Sequence, residues 1–487
     1  MIMNKMKLFA RWFSLAAICT LLAAACSKKD DSNDSLQFEV PSLYFAAPGT
    51  SQVISYASHG VSRVYVASRP KGWGEENISL DTDKQQLKIT VPEEVDDNTV
   101  ASSGTITLSG YSSKNNLKSA VLFVGLVPQK ELKGPANSFI ANEAATNYWF
   151  KPVRRDGSEL HPASVGLLWQ SASKFMQYLY LDAGNRISFY IGNDATHTDE
   201  IMRGNALIGA YDADGNLLWS WHVWACNFDP DEEAVTWQNG ATMMNRNLGA
   251  LDNANSTDAE KLASYGLYYQ WGRKDPFIGP TNYKFSNGTS ATLYITDYTT
   301  TALSYLDSSL ETGTVDYADQ HPLTFITGVE ETEYDWQWSN AASAAASWSD
   351  RNDPCPYGWH VAPGYAFEGL ELSGDPVLDD SEAYGWSLTD GTATSLFMAG
   401  GERVYLNGYF QNVYDRMISG RANTAEEAQP WVAHYWTADG VSAQRRALSM
   451  CFGFDKQAAM AGAAAGDGPT LLGDRRANGF PVRCVKQ

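Results

Sequence analysis

Short runs of β-branched and aromatic residues recur through the first part of the chain, and turn-forming residues separate them. Residues 61–67 and 105–108 are two such runs, and Pro48-Gly49 is one of the separators. Many short strands with regularly spaced turns are typical of an all-β sandwich. The pattern predicts a mainly β protein, with an immunoglobulin-like β-sandwich over residues 36–128.

Strand-like runs continue through residues 129–240, where we predict a second β-rich domain. Its most aromatic stretch is 219–224. On a strand, alternation places Trp219 and Trp221 on one face and His222 on the other. A single His in such a setting is more often buried and hydrogen-bonded than catalytic or metal-bound, and we expect this of His222.

The amino-terminal segment is first basic, then apolar, and ends in small residues. Lys5, Lys7 and Arg11 precede an apolar run, residues 12–25, that is shorter than the roughly 20 residues needed to span a bilayer. This order is typical of a secretory signal peptide, which we assign to residues 1–25.

The four residues Ala23-Ala24-Ala25-Cys26 resemble the lipobox of bacterial lipoproteins. The resemblance implies cleavage before Cys26 and lipid attachment at that residue. The attached lipid would have more than one acyl chain, which stable anchoring requires. Residues 27–31 resemble the surface-export signal of Bacteroidetes lipoproteins, within a tether over residues 26–35. We therefore expect a lipid-anchored protein of the outer membrane, exposed at the cell surface.

The net charge of the chain narrows the class of partner. The 487-residue chain has a net charge of −20, which becomes −23 when the three basic residues of the signal peptide are removed. So acidic a surface argues against nucleic acid as a partner.

Four cysteines remain when Cys19 and Cys26 are set aside. Disulfides are permitted because an exported chain meets an oxidising compartment. Four cysteines allow three full pairings, and spacing alone does not choose among them.

Three features of residues 36–128 match a known family, and the region resembles the Bacteroidetes-associated carbohydrate-binding often N-terminal (BACON) domain. These features are the opening Leu43-Tyr44-Phe45-Ala46, Trp73 after Pro70, and Gly104-Thr105-Ile106-Thr107-Leu108. Pro128 interrupts the closing strand, which the family usually leaves unbroken. The resemblance implies a sugar-binding or spacer module, and a spacer is favoured because a single Trp in a sandwich usually packs in the core or at an edge.

Seven sequence blocks of residues 241–487 occur in the order found in the Fibrobacter succinogenes major paralogous domain, which this region resembles. The blocks are Met244-Asn245-Arg246-Asn247-Leu248-Gly249, Tyr265-Gly266-Leu267-Tyr268-Tyr269-Gln270-Trp271-Gly272-Arg273, residues 352–363 around Cys355, Gly400-Gly401-Glu402-Arg403, Tyr435-Trp436-Thr437, Arg446-Ala447-Leu448, and Gly479-Phe480-Pro481-Val482-Arg483-Cys484-Val485. The family usually has Ser where Pro481 stands. The resemblance implies an α+β domain of C-type-lectin-like fold, in which residues 280–347 form a long insertion.

Two details of this domain lead to local predictions. Ser256 or Thr257 is a candidate N-cap for a short helix before the block that starts at Tyr265. The Pro-Cys-Pro sequence around Cys355 disfavours a helix and indicates a rigid corner. We predict that Cys355 forms a disulfide with Cys484 in the final strand, whereas Cys226 and Cys451 are buried thiols.

The sequence lacks the common catalytic and metal-binding motifs. It has no Gly-x-Ser-x-Gly, His-Glu-x-x-His, phosphate loop or Cys-x-x-Cys, and its seven His are scattered. Glu331, Glu333 and Asp335 cluster and could serve a glycosidase, but such alternation more often marks a solvated segment. We therefore expect no enzymatic activity, no cofactor and no metal.

Exposed aromatic residues in the insertion are the best candidates for ligand binding. Tyr334, Trp336 and Trp338 would share one face of a strand and could stack along a sugar chain, although this face could instead cover the core. We expect a surface binding or adhesion protein, for carbohydrate or for a host or surface protein. The alternatives are a structural, tip or accessory subunit of a surface fibre, and a hydrolase.

Overall fold

A computed structural model describes most of the chain after the amino-terminal segment. It describes residues 34–45, 47–182, 184–197, 199–281, 290–296, 299–338, 347–373, 385–411, 431–441, 444–454 and 466–487. The predicted lipidation site Cys26 lies outside these residues. Among the helices of the described ranges, none has the length and apolar character needed to cross a bilayer.

The protein is mainly β and is built from several small sheets. The strands of the first part are β1 (Ser35–Phe38), β2 (Ser42–Phe45), β3 (Ser51–His59), β4 (Val61–Ser68), β5 (Ile78–Asp81), β6 (Gln86–Thr90), β7 (Ser103–Ser112) and β8 (Leu117–Leu126), with a 3₁₀ turn at Glu75–Asn77.

These strands form two four-stranded sheets, in the orders β1-β3-β6-β5 and β2-β8-β7-β4. Alternating apolar residues of both sheets meet in one core, which is the arrangement of a β-sandwich. Trp73 is buried in this core and donates its indole N–H to the backbone oxygen of Ala101 at 2.8 Å. Trp73 therefore packs in the sandwich and is not presented to a sugar.

Two further sheets follow in the middle segment. Their strands include β9 (Gln129–Glu131), β10 (Ser138–Ala141), β11 (Thr146–Phe150), β12 (Ser164–Gln170), β13 (Met176–Leu181), β14 (Ile187–Ile191), β15 (Gly204–Tyr211) and β16 (Leu217–Ala225). One sheet has the order β13-β14-β11-β9. The other has the order β10-β16-β15-β12-β20-β21, in which β20 (Leu293–Tyr294) and β21 (Thr300–Thr301) come from residues 280–347.

The predicted alternation along β16 is confirmed. Trp219 and Trp221 point into the core of the middle segment, and Trp224 points into a second core on the opposite face. His222 is buried, and its Nε2 lies 2.9 Å from Oδ1 of Asn205. His222 is thus the buried, hydrogen-bonded residue that the sequence predicts.

An aromatic contact joins the sandwich to the middle segment. Phe123 of β8 stacks on Tyr178 of β13, with ring centroids 4.5 Å apart. Tyr44 of β2 lies 6.3 Å from the ring of Tyr190 in β14. The two parts are therefore packed against each other through rings.

The described residues that follow form mostly short strands, together with three short α-helices. The strands are β17 (Val235–Thr236), β18 (Thr242–Met243), β19 (Tyr269–Gln270), β20 (Leu293–Tyr294), β21 (Thr300–Thr301), β22 (Ser304–Asp307), β23 (Thr324–Thr327), β24 (Trp359–Val361), β25 (Glu371–Leu372), β26 (Gly385–Thr389), β27 (Thr394–Met398), β28 (Glu402–Arg403), β29 (Phe410–Gln411), β30 (Trp431–Gly440), β31 (Arg446–Phe454), β32 (Gly466–Arg475), β33 (Gly479–Phe480) and β34 (Cys484–Lys486). The α-helices are α1 (Pro230–Glu233), α2 (Asp258–Ser264) and α3 (Val315–Gln320), and 3₁₀ turns lie at Glu330–Thr332, Asp350–Asn352 and Gly364–Phe367.

Two local predictions for this region are confirmed. Thr257 caps α2, and its side chain and that of Glu260 form a capping box. Cys355 and Cys484 form a disulfide, while Cys226 and Cys451 are buried and not disulfide-bonded. The disulfide links the Cys-Pro corner to the last strand, β34.

One hydrophobic core crosses the domain boundary that the sequence predicts at residue 240. Trp169 and Trp224 of the middle segment share this core with Tyr269, Trp271 and Trp436 of the carboxyl-terminal region. The boundary itself stays a prediction, and the shared core indicates that the two segments stabilise each other.

Candidate functional site

The segment proposed from sequence as a sugar-binding strand is not a strand. Residues Glu330–Thr332 form a 3₁₀ turn, and Glu333 and Tyr334 both have positive φ, 55° and 64°. Two successive left-handed residues reverse the chain, so side chains no longer alternate between two faces as they do in a strand. The prediction of a row of rings on one face is therefore wrong.

Trp336 is fully buried. Its ring packs with Ala318, Ile326 and Ala477, and its indole N–H donates to the backbone oxygen of Trp271 at 2.8 Å. Burial of this ring removes it from any ligand-contacting surface. Trp338 is half-buried, as is Tyr334, so the three aromatic residues do not form one exposed platform.

The nearby carboxylates also point in different directions. Asp335 is buried, and its Oδ2 lies 3.5 Å from a guanidinium nitrogen of Arg476. Burial raises the pKa of Asp335 to about 6, against the opposing effect of Arg476. Glu331 and Glu333 are exposed. Asp335 therefore faces the core while the other two face solvent, which is not the convergent pair that a glycosidase needs.

The structure instead brings together exposed rings from two other places. Tyr305 lies on β22 in the insertion, and Tyr409 lies on the hairpin between β28 and β29. They are 36% and 53% exposed, and their rings meet edge to face with centroids 6.0 Å apart. Phe325 is the partner of Tyr305 on the neighbouring strand β23, and their ring centroids are 6.3 Å apart. Tyr305 therefore packs against a buried ring, and both tyrosines are exposed to solvent.

Gly408 and Arg403 explain how the hairpin reaches Tyr305. Gly408 has φ of 64°, and a Cβ there would lie 2.5 Å from Cε1 of Tyr305. Any larger residue would push the hairpin away from the ring. The buried Arg403 donates to the backbone oxygen of Gly408 at 3.0 Å. The buried Arg403 therefore anchors the loop that carries Tyr409.

The same hairpin carries a second ring, Tyr405, which meets Tyr334 edge to face at 4.9 Å. The guanidinium of Arg475 lies 4.3 Å from the centroid of Tyr405 and 5.2 Å from that of Tyr334. The backbone oxygen of Tyr405 accepts a hydrogen bond from Gly328 at 2.8 Å. Tyr334 thus belongs to an aromatic cluster, although not to the one that the sequence predicts.

We call the exposed surface formed by Tyr305 and Tyr409 the tyrosine patch. Leu406, at the tip of the hairpin, is exposed. Tyrosine offers a flat apolar face and a hydroxyl, so a group of such rings can both stack on a ligand and hydrogen-bond to it. Sequence reasoning missed this site because Tyr305 and Tyr409 meet only through tertiary contact. The usable signal was Gly408 beside Tyr409, since a glycine in a hairpin can mark a close approach.

Comparisons with known proteins leave the family open. No protein-family model matches the chain, and no curated protein matches it. The two family resemblances therefore stay predictions.

Matches to solved structures are distant. The D00-D0 domain of intimin matches at 12% identity and a TM-score of 0.16, over 39% of this chain and 96% of that one. The Bacteroides ovatus mixed-linkage glucan utilization locus protein SGBP-B, solved with a heptasaccharide, matches at 12% identity and a TM-score of 0.13, over 40% of this chain and 46% of that one. Protocadherin gamma B7 matches at 8% identity and a TM-score of 0.15, over 40% of this chain and 51% of that one. Scores of this size carry no argument about function, which must come from the residues of this chain.

Proposed function

We propose that this protein is a non-enzymatic, lipid-anchored binding protein of the cell surface, and that its tyrosine patch binds carbohydrate. The observation that carries the proposal is the exposed ring pair of Tyr305 and Tyr409, in which Tyr305 packs against the buried Phe325. Rings that are already ordered lose little conformational entropy when a ligand stacks on them. An ordered, open aromatic pair is therefore better suited to a sugar than a mobile side chain would be.

The position of the patch supports the same proposal. Tyr305 comes from the insertion at residues 280–347, and Tyr409 comes from a hairpin anchored by Arg403 of the family-like core. In a C-type-lectin-like domain, which we propose for residues 241–487, the shared core would act as scaffold and the added segments would select the ligand. The lipid anchor at Cys26 would hold this domain at the outer membrane, facing extracellular glycans.

A glycan array probed with the purified protein tests the proposal. We expect binding to a defined group of glycans, and loss of that binding when Tyr305 and Tyr409 are both changed to Ala. Binding that survives the double change would place the site elsewhere. An array without any signal would count against a carbohydrate ligand.

A groove in the amino-terminal sandwich favours a second candidate, the binding of a protein strand. It has a volume of about 630 Å³ and lies between β4 and β5, each of which ends its sheet. Val64 and Ile78 line it together with the exposed Tyr65. An open groove between two edge strands can accept a strand from a partner, as a fibre subunit would require.

Charge in the groove tests this second candidate. Tyr65→Lys would replace an exposed ring of the groove lining with a cation. It should reduce co-fractionation of the protein with cell-surface fibres and leave the melting temperature unchanged. Unaltered co-fractionation would argue against strand binding.

A further inference from the structure

Three residues with different metal-binding atoms meet on one face of the β30-β31-β32 sheet. His434 of β30 and Cys451 of β31 are directly paired across the strands. Asp474 of β32 is paired with Ala447, which lies on the same face of β31 as Cys451 because alternate residues share a face. Strand pairing therefore brings an imidazole, a thiol and a carboxylate together.

Two of the distances between these atoms are near those in a zinc site. Sγ of Cys451 lies 3.2 Å from Nδ1 of His434, and Nδ1 lies 3.4 Å from Oδ2 of Asp474. All three ligand atoms lie within 4.8 Å of one another. A tetrahedral zinc ion with bonds of about 2.0–2.3 Å holds its ligand atoms about 3.4–3.6 Å apart. Small side-chain adjustments would therefore suffice to admit the ion.

We propose that His434, Cys451 and Asp474 bind a zinc-like divalent cation. Thiolate and imidazole are the ligands preferred by zinc, copper and nickel, whereas calcium and magnesium prefer oxygen alone. Three protein ligands leave a fourth coordination position, for water or for the hydroxyl of Ser449. That hydroxyl lies 3.0 Å from Sγ of Cys451 and is hydrogen-bonded to the carboxylate of Asp474.

The orientation of the His434 ring argues against the alternative that Cys451 is a catalytic nucleophile. In a Cys-His-Asp catalytic arrangement, the thiol and the carboxylate contact opposite nitrogens of the imidazole. Here both contact Nδ1, so the carboxylate cannot orient the ring for the thiol. Convergence of both groups on one nitrogen is what a shared cation requires.

The cluster is accessible from one side. Cys451 is buried, whereas the side chains of His434 and Asp474 are 12% and 22% exposed. Asp474 lies on β32, which ends its sheet. The ring of His434 stacks on Phe480 with centroids 4.8 Å apart, which fixes its direction. An ion would therefore reach the site from the side of Asp474, and Cys451 would bind it from the buried side.

Sequence reasoning could not have found this site. His434 and Cys451 are separated by 17 positions, and Asp474 lies a further 23 positions along the chain. No short motif joins the three residues, and the pairing of three strands is needed to bring them together. The sequence-based expectation of no metal rested on the absence of such motifs.

Cobalt substitution tests the proposal, because Co²⁺ bound by a thiolate gives a characteristic charge-transfer absorption. Purified protein freed of metal should bind one equivalent of Co²⁺, show this absorption, and release the cobalt when Zn²⁺ is added. Cys451→Ser should lose the absorption. Asp474→Asn should weaken Co²⁺ binding by more than the roughly 10–100-fold that loss of an outer-shell partner costs.

Cys226→Ser is the matched control, since Cys226 is also a buried thiol without a disulfide, and it should leave the absorption unchanged. Circular dichroism melting shows whether each variant folds. If Cys451→Ser does not fold, Asp474→Asn decides, because that residue is partly exposed. Failure of the unaltered protein to bind stoichiometric Co²⁺, or a charge-transfer band that persists in folded Cys451→Ser, would overturn the proposal.

Discussion

Arg155 of the middle segment donates a hydrogen bond from its guanidinium to the backbone oxygen of Cys355, at 2.6 Å. The same guanidinium also bonds to the backbone oxygen of Trp359 and lies 3.8 Å from the carboxylate of Asp353. One side chain therefore holds the whole Cys-Pro corner. The middle segment and the carboxyl-terminal region are joined by this contact as well as by their shared core.

We predict that Arg155→Ala destabilises the protein by about 3–5 kcal/mol, the usual cost of removing one partner of a buried ion pair. Asp353 would be left buried without its cation, and two backbone oxygens would lose their donor. Urea unfolding measures the change. Arg186→Ala is the control, because the Arg186–Asp182 pair is more exposed and should be worth less than about 1 kcal/mol. Equal effects of the two changes would contradict the role of Arg155.

His222 predicts a loss of stability in acid. Burial lowers its pKa from 6.5 to about 3, and its Nδ1 is buried without a hydrogen-bond partner. Below pH 6.5 the unfolded chain takes up a proton that the folded chain does not. The free energy of unfolding should therefore fall by roughly 1.4 kcal/mol for each pH unit between about 6.5 and 3.

Comparison with His222→Gln isolates this contribution. The amide of Gln can still donate to Asn205, and it does not titrate. Denaturant unfolding from pH 7 to pH 4 should show a steeper loss in the unaltered protein than in the variant. Parallel pH profiles would mean that the pKa of His222 is the same in the folded and unfolded chains, which would contradict the prediction.

Substitution of Trp336 should destabilise the protein much more than substitution of Tyr409, because Trp336 is in the core and Tyr409 is in the tyrosine patch. Trp336→Ala is expected to cost about 3–5 kcal/mol, because it leaves a cavity in the core and removes the donor to Trp271. Tyr409→Ala, at an exposed ring, should cost less than about 1 kcal/mol. Thermal melting of both variants checks this, and a small effect of Trp336→Ala would mean that its ring is not packed as described.

Local patterns predicted the parts of this protein that depend on local geometry. The faces of β16, the cap at Thr257 and the buried state of His222 follow from strand alternation and capping chemistry. The aromatic segment at 334–338 failed because Glu333 and Tyr334 adopt left-handed backbone conformations. Glu and Tyr do not indicate a left-handed conformation in a sequence, so the pattern alone favoured a strand.

The sites could not be derived from sequence because each requires distant segments to meet. Tyr305 contacts Tyr409 through the pairing of β22 with β23 and through a hairpin held by Arg403. His434 meets Cys451 through strand register. Residue type and spacing do not predict contacts between segments that are far apart in the chain.

The most direct test of the central claim is the affinity of the protein for the glycan that binds best on the array, measured by isothermal titration calorimetry. Tyr305→Ala combined with Tyr409→Ala should weaken it at least tenfold, a loss of about 1.4 kcal/mol, with little change in melting temperature. Tyr365→Ala is the matched control, because Tyr365 is 55% exposed and lies outside the patch, on the 3₁₀ turn Gly364–Phe367. Our account predicts lost affinity in the double variant and full affinity in the control. Unchanged affinity in a folded double variant would contradict it.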